Sequence, residues 1–115
     1  MSLSNLLNQT ADLQRPTYNT DDSAGVQPVY NTTTLILTGQ AVRIEDAKAQ
    51  EKIAYATQNI VITHRIFVES DVPQANDRWS CNGRYYIIED ILRRREEGGI
   101  TDYNINMCSE VAPNG

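Results

Sequence analysis

Apolar side chains fall on alternate positions between Asn59 and Glu69, where Ile60, Ile62, Ile66 and Val68 share one phase with His64. A period of two carried by β-branched residues predicts a strand rather than a helix. Pro73 and the acidic and amide residues around it then predict a loop from Ser70 to Asp77. Two further β-rich runs, RWSC and RYYIIEDIL, flank Asn82-Gly83. That pair predicts a tight hairpin, because both turn positions require positive φ. Tyr86 and Ile88 share a face of the second run, and Glu89-Asp90 interrupt the alternation before Ile91, which predicts a bulge. The strand is expected to continue through Arg93, Arg94 and Arg95 and to turn at Glu97-Gly98-Gly99. In the closing run, Tyr103, Ile105, Met107, Ser109 and Val111 alternate with Asn104, Asn106, Cys108 and Glu110. The first set is expected to face the core and the second to face water.

The pattern is weaker upstream. Thr33 to Thr38 and Ala41 to Glu45 read as two strands around Gly39. The segment AKAQEKIAYA is rich in helix formers, places Ala49, Ile53 and Ala56 on one stripe, and follows Asp46, a candidate cap. Ala11 to Thr17 reads as a strand, and the polar stretch from Thr17 to Pro28 as a long loop. About six strands in hairpin order with one short helix predict a mainly β chain, a small antiparallel β-barrel with long loops. At 115 residues this is expected to be one domain over 1–115 with a flexible N-terminus.

Charge and cysteine content narrow the function classes. A formal net charge of −5 repels phosphate, so a dedicated nucleic-acid binder is disfavoured, although an acidic surface suits a channel through which DNA slides. No apolar run approaches the roughly 20 residues of a spanning helix, and MSLSNLLNQT lacks the layout of a signal peptide, so no membrane association is expected. Cys81 and Cys108 form neither a disulfide framework nor a metal spacing and are expected to be buried free thiols.

The residues offer little for catalysis. His64 is the single histidine, its phase neighbours are Ile62 and Ile66, and a structural role is expected for it. The acidic pairs Asp21-Asp22, Glu89-Asp90 and Glu96-Glu97 are adjacent in sequence, so on a strand their members point to opposite faces, and each is expected to be solvated surface. Phosphate-loop, dinucleotide and nucleophile-elbow motifs are absent from the sequence. No catalytic residue, metal ligand or cofactor site is assigned. Trp79, Tyr85 and Tyr86 around the turn are expected to pack across the hairpin. Arg93 to Arg95 followed by Glu96-Glu97 form the sharpest charge feature. It reads as a soluble hairpin tip, as an arm whose arginines meet an acidic segment such as Asp21-Asp22 of a neighbouring subunit, or as a direct DNA contact in a channel, which three arginines against the total negative charge disfavour.

The opening TADLQRPTYNTDDSAG resembles the first strand and acidic, glycine-containing loop of the head-tail joining family of tailed bacteriophages. VRIED, the helical segment and THRIFVESDVPQANDRWSCNGRYYIIEDI resemble that family's succession of strand, helix, strand, acidic loop and hairpin. The resemblance spans roughly Thr10 to Val111; the acidic loop here carries a single glycine, Gly25. It implies a non-enzymatic head-closure subunit that forms a ring, a dodecamer in the virion, between the portal protein and a tail-completion or tail-tube protein. The subunit would be made in the host cytoplasm, and DNA would pass through the ring without sequence-specific binding. Asp21, Asp22, Gly25, Arg93, Arg94 and Arg95 are the candidate interface residues. Two alternatives remain open: a tail-completion or adaptor subunit of similar size, and a stand-alone barrel that binds a peptide or single-stranded nucleic acid. An enzyme or ligand carrier would need a pocket, which a dry core of Ile62, Ile66, Ile88, Ile105 and Met107 would exclude.

Overall fold

The computed structural model describes residues 7, 9–21, 25–30, 35–95 and 102–111, with the backbone alone for 18–21, 25–28, 93–95 and 102. The chain forms β1 (Gln9–Gln14), β2 (Pro16–Asp21), β3 (Gly25–Tyr30), β4 (Leu37–Asp46), α1 (Ala49–Ala56), β5 (His64–Val68), β6 (Arg78–Cys81), β7 (Arg84–Arg95) and β8 (Asp102–Val111). Six strands close an antiparallel barrel in the order β1-β4-β5-β8-β7-β6, and β2 and β3 pair with each other as a separate two-stranded sheet. The predicted fold class is therefore the observed one. Closure matters physically because it leaves the barrel without the two unpaired edges of an open sheet.

The turn at Asn82-Gly83 forms as expected, with φ of 53° and 78° and Cys81 paired to Arg84. The bulge also lies where the broken alternation placed it: Ile88 pairs with Cys108, and the next pair is Asp90 with Met107. Ser70 to Asp77 has no strand or helix. Cys81 and Cys108 are buried free thiols, and burial raises both pKa values, so they stay protonated.

Several expectations are corrected. The segment from Thr17 to Pro28 is not a long loop: β2 and β3 run antiparallel from Pro16 opposite Tyr30 to Asp21 opposite Gly25. Polar β-branched and aromatic residues make adequate strands when each backbone group finds a partner across the pair. The strand expected from Ala11 to Thr17 breaks at Arg15, whose side chain turns to the barrel and separates β1 from β2. Gly39 does not divide two strands; it sits inside β4 at φ +63° and donates its N–H to Asp12 Oδ1, where the β1–β4 register shifts. Thr33, Thr34, the Glu97-Gly98-Gly99 turn and Met1 to Leu6 lie outside the described residues.

The strand expected from Asn59 begins only at His64. Asn59 instead ends α1 at φ +62°, with its N–H on Ala56 O and the Ile60 N–H on Tyr55 O, a Schellman-type stop closed by Ile60 packing near Tyr55. Asp46 is not the cap either: the helix starts after Lys48, whose backbone N–H donates to Glu51 Oε1. The Ala49, Ile53, Ala56 stripe faces solvent, with Ile53 66% exposed, while Glu51 and Tyr55 face the barrel.

Two apolar clusters result, one inside the barrel and one outside it. Leu13, Val42, Ile66, Val68, Trp79, Tyr86, Ile88 and both cysteines fill the interior. Ala47, Ile62, Ile105 and Met107 form the second cluster with Tyr55 of α1, Phe67 and Leu92. The final strand is thereby inverted relative to expectation: Asn104, Asn106 and Cys108, the supposed wet side, are buried, and Ile105 and Met107 face outward under the helix. The five residues proposed as one dry core are split between these clusters in the same way.

Candidate assembly surface

Register fixes which elements meet at each end of the barrel. Gln14 pairs with Arg78, Arg78 with Ile87, and Val68 with Asn104, so the C-terminal ends of β1 and β5 lie at the end where β6 and β8 begin. From that end β1 passes through Arg15 into the β2–β3 hairpin. From it β7 also runs on past its last pair with β6, at Ile87, to Arg95. Two hairpins therefore leave the same end of the barrel.

The root of the first hairpin is built from charge and aromatic faces. Arg15 Nε and Nη2 donate to Asp77 Oδ1 and Oδ2 at 3.1 and 2.9 Å, and Nη2 also reaches Val72 O. Asp77 is 1% exposed and accepts a further bond from the Gln74 N–H, so the pair pins the Ser70–Asp77 loop against the strand break. Its hydrogen bond to Asp77 raises the Arg15 pKa further above the usual arginine value. Arg78, 6% exposed, lies between two rings, 4.4 Å from the centroid of Tyr30 and 4.1 Å from that of Tyr85. Its Nε donates to Gln14 Oε1 at 2.6 Å, and Tyr30 donates its hydroxyl to Asn76 O at 2.7 Å. Burial lowers the Arg78 pKa, and charge interactions with Tyr85 and Tyr30 work in the opposite direction. The hairpin is thus clamped to the barrel through Tyr30 and Arg15.

The second arm is backbone-paired as far as Arg95 and Asp102. Beyond the last β5–β8 pair, Val68 with Asn104, β7 and β8 continue alone with Arg94 opposite Tyr103 and Arg95 opposite Asp102. Arg93 is opposite Asn104. Among the sequence-selected residues, Asp21 and Gly25 face each other at the far end of β2–β3, Asp22 lies outside the described residues, and Arg93 to Arg95 end β7. The structure carries the two sets on different sheets that leave one end of the barrel. Sequence reasoning missed Arg15, Tyr30, Asp77 and Arg78. The only available signal was Asp77-Arg78 before the strand, and its partners are 62 and 64 positions away in sequence.

The opposite end of the barrel holds the histidine. His64 Nε2 is 3.3 Å from Asp46 Oδ1 and 3.9 Å from Glu110 Oε1, and Nδ1 lies 2.9 Å from Thr63 Oγ1, which accepts the Glu110 N–H. The ring meets Tyr86 edge-on at 5.1 Å. Among the described residues no group of three His, Cys, Asp or Glu side chains could hold a metal ion, and no helix is long and apolar enough to cross a membrane. Around α1, Arg65 joins Glu45 at 2.9 Å and Glu51 at 3.6 Å, and Tyr55 donates to Asp90 Oδ2 at 2.7 Å, which fastens the helix over the second cluster.

No protein-family model matches the chain, and no curated protein matches it.

Proposed function

We propose that this chain is a non-enzymatic structural subunit of a tailed-phage head-tail connector, a head-closure protein that assembles into a ring between portal and tail. The observation that carries this reading is the departure of two strand-built arms from one end of a closed barrel. The last described pair of one arm is Asp21 with Gly25, and the other carries Arg93, Arg94 and Arg95 at the end of β7. An acidic hairpin and a second strand pair that carries three arginines on one strand suit a heterologous contact, in which the arginines of one copy meet the acidic hairpin of the next and the rotation closes into a ring. A root clamped by Arg15, Asp77, Tyr30 and Arg78 holds the acidic arm in a defined direction, which lowers the entropic cost of docking.

In this reading the interface residues are Asp21, Asp22, Gly25 and Arg93 to Arg95, and the partners are further copies, the portal protein and a tail-completion or tail-tube protein. The subunit acts in the virion, as a dodecamer matching the portal, and its net charge of −5 lets DNA pass through the ring without adhering. A tail-completion or adaptor subunit would use the same arms. A barrel that stacks bases fits less well, because Tyr30 and Tyr85 each give one ring face to Arg78.

Light scattering over a wide concentration range tests the proposal, since ring formation follows mass action. A closed cyclic species is expected at high concentration, or on addition of portal rings. A monomer under both conditions overturns it.

A further inference from the structure

We infer that the outward face of α1 docks on the Glu69–Val72 segment of a second copy of this chain. The inference rests on the ring reading and adds to it a contact that uses neither arm.

The helix is turned opposite to the usual sense. Glu51 and Tyr55 face the barrel, held by Arg65 and by Asp90, while Ala49, Ile53 and Ala56 face solvent, with Ile53 66% exposed. A single exposed apolar side chain is ordinary, but a helix that turns its apolar stripe outward and a carboxylate inward has the pattern of an element covered on both sides. Lys48 and Lys52, one turn apart and both exposed, line one flank of the stripe, and they are the chain's two lysines. Arg15, Arg43, Arg65 and Arg84, by contrast, lie within 4.0 Å of carboxylates of their own chain. In a protein of net charge −5, the lysine flank is a place where another acidic surface approaches without repulsion.

The complement lies at the other end of β5. The helix leads into β5 at His64, and the Glu69–Val72 segment leaves it after Val68, so the two faces are unlike surfaces, as a heterologous contact requires. Glu69, Asp71 and Val72 are exposed, Val72 to 43%. The segment forms no strand or helix, yet it is tied down. Buried Asn104 donates Nδ2 to Ser70 O at 2.7 Å and to Asp71 Oδ1 at 3.0 Å, the Val72 N–H donates to Ser70 Oγ at 3.1 Å, and Arg15 Nη2 donates to Val72 O. Two carboxylates beside an exposed valine thus match two lysines beside an exposed isoleucine, and their fixed placement lowers the entropic cost of docking.

Carbodiimide cross-linking of an equimolar mixture of isotope-labelled and unlabelled full-length chain tests the contact, with portal rings added where the chain alone is monomeric. Lys48 or Lys52 is expected to join Glu69 or Asp71 in peptide pairs of mixed isotope, which only two different copies produce. Lys52→Glu and Glu69→Lys are each expected to weaken association roughly tenfold, and an equimolar mixture of the two variants to restore it, because each altered face then meets its complement. A cyclic species without mixed-isotope links, or a mixture that associates no better than its components, overturns this contact and leaves the ring reading standing. Links from the two lysines to portal carboxylates instead of Glu69 and Asp71 also overturn it, by assigning the helix face to the portal. A chain that stays monomeric with and without portal rings overturns both readings.

Discussion

Trp79 donates its indole N–H to Asn106 Oδ1 at 2.8 Å, and both side chains are fully buried inside the barrel. The bond links β6 to β8 across the interior, while the Nδ2 of the same amide finds no partner among the described residues.

That bond predicts a non-additive mutational cycle. Trp79→Phe or Asn106→Leu alone strands one buried polar group and is expected to lower stability by roughly 2–4 kcal/mol. The double variant removes both partners and should lose at least 1 kcal/mol less than the sum, an estimate of about that size following from contact coupling. Urea denaturation of the four proteins measures the coupling, and strict additivity would show that the bond carries no net energy.

Arg15→Met leaves the Asp77 carboxylate, 1% exposed, with the Gln74 N–H but without its cation. Because a third of the Arg15 side chain is exposed, water offsets part of the loss, and about 2–3 kcal/mol of destabilisation is expected. Limited proteolysis adds a local readout: cleavage should concentrate in Ser70–Asp77 and in the β2–β3 hairpin, the two elements that Arg15 joins.

Tyr55 gives a pH prediction. Burial, followed by its bond to Asp90, pushes its pKa up to about 12 from 10.0. The unfolded chain therefore releases this proton first as pH rises. The contribution of Tyr55 to stability is fully present below pH 10.0 and is lost between there and about 12. Thermal unfolding of the parent and of Tyr55→Phe should show a steeper alkaline decline in the parent, and parallel curves would contradict the Tyr55–Asp90 bond.

Charge reversal at Arg94 and Arg95 separates a solubilising tip from an assembly arm. Arg94→Glu with Arg95→Glu is expected to abolish the cyclic species in light scattering while circular dichroism stays that of the parent. Unchanged assembly would remove the arm from the interface.

Legibility in the sequence followed the range of the interactions involved. The Asn82-Gly83 turn and the Ile88–Asp90 bulge were readable because local φ preference and local alternation specify them. The β2–β3 hairpin was not, since its strands are polar and their stability comes from cross-strand pairing and from Tyr30 on Arg78, 48 positions later in the chain. Of the candidate surface, the basic run and Asp21-Asp22 stood out as charges, but their shared end of the barrel emerged only from strand register.

Alternation along β5, β7 and β8 by itself determined that these segments are strands, and the order of hairpins determined a small antiparallel barrel. It did not determine which side of a strand is the inside. Ile105 and Met107 are the more apolar side of β8, yet they face outward, because α1 covers that surface through Tyr55 and the interior offers Trp79 as a donor to Asn106. Burial depends on what packs against each face, and that is decided by elements distant in the chain, so only the tertiary structure could assign it.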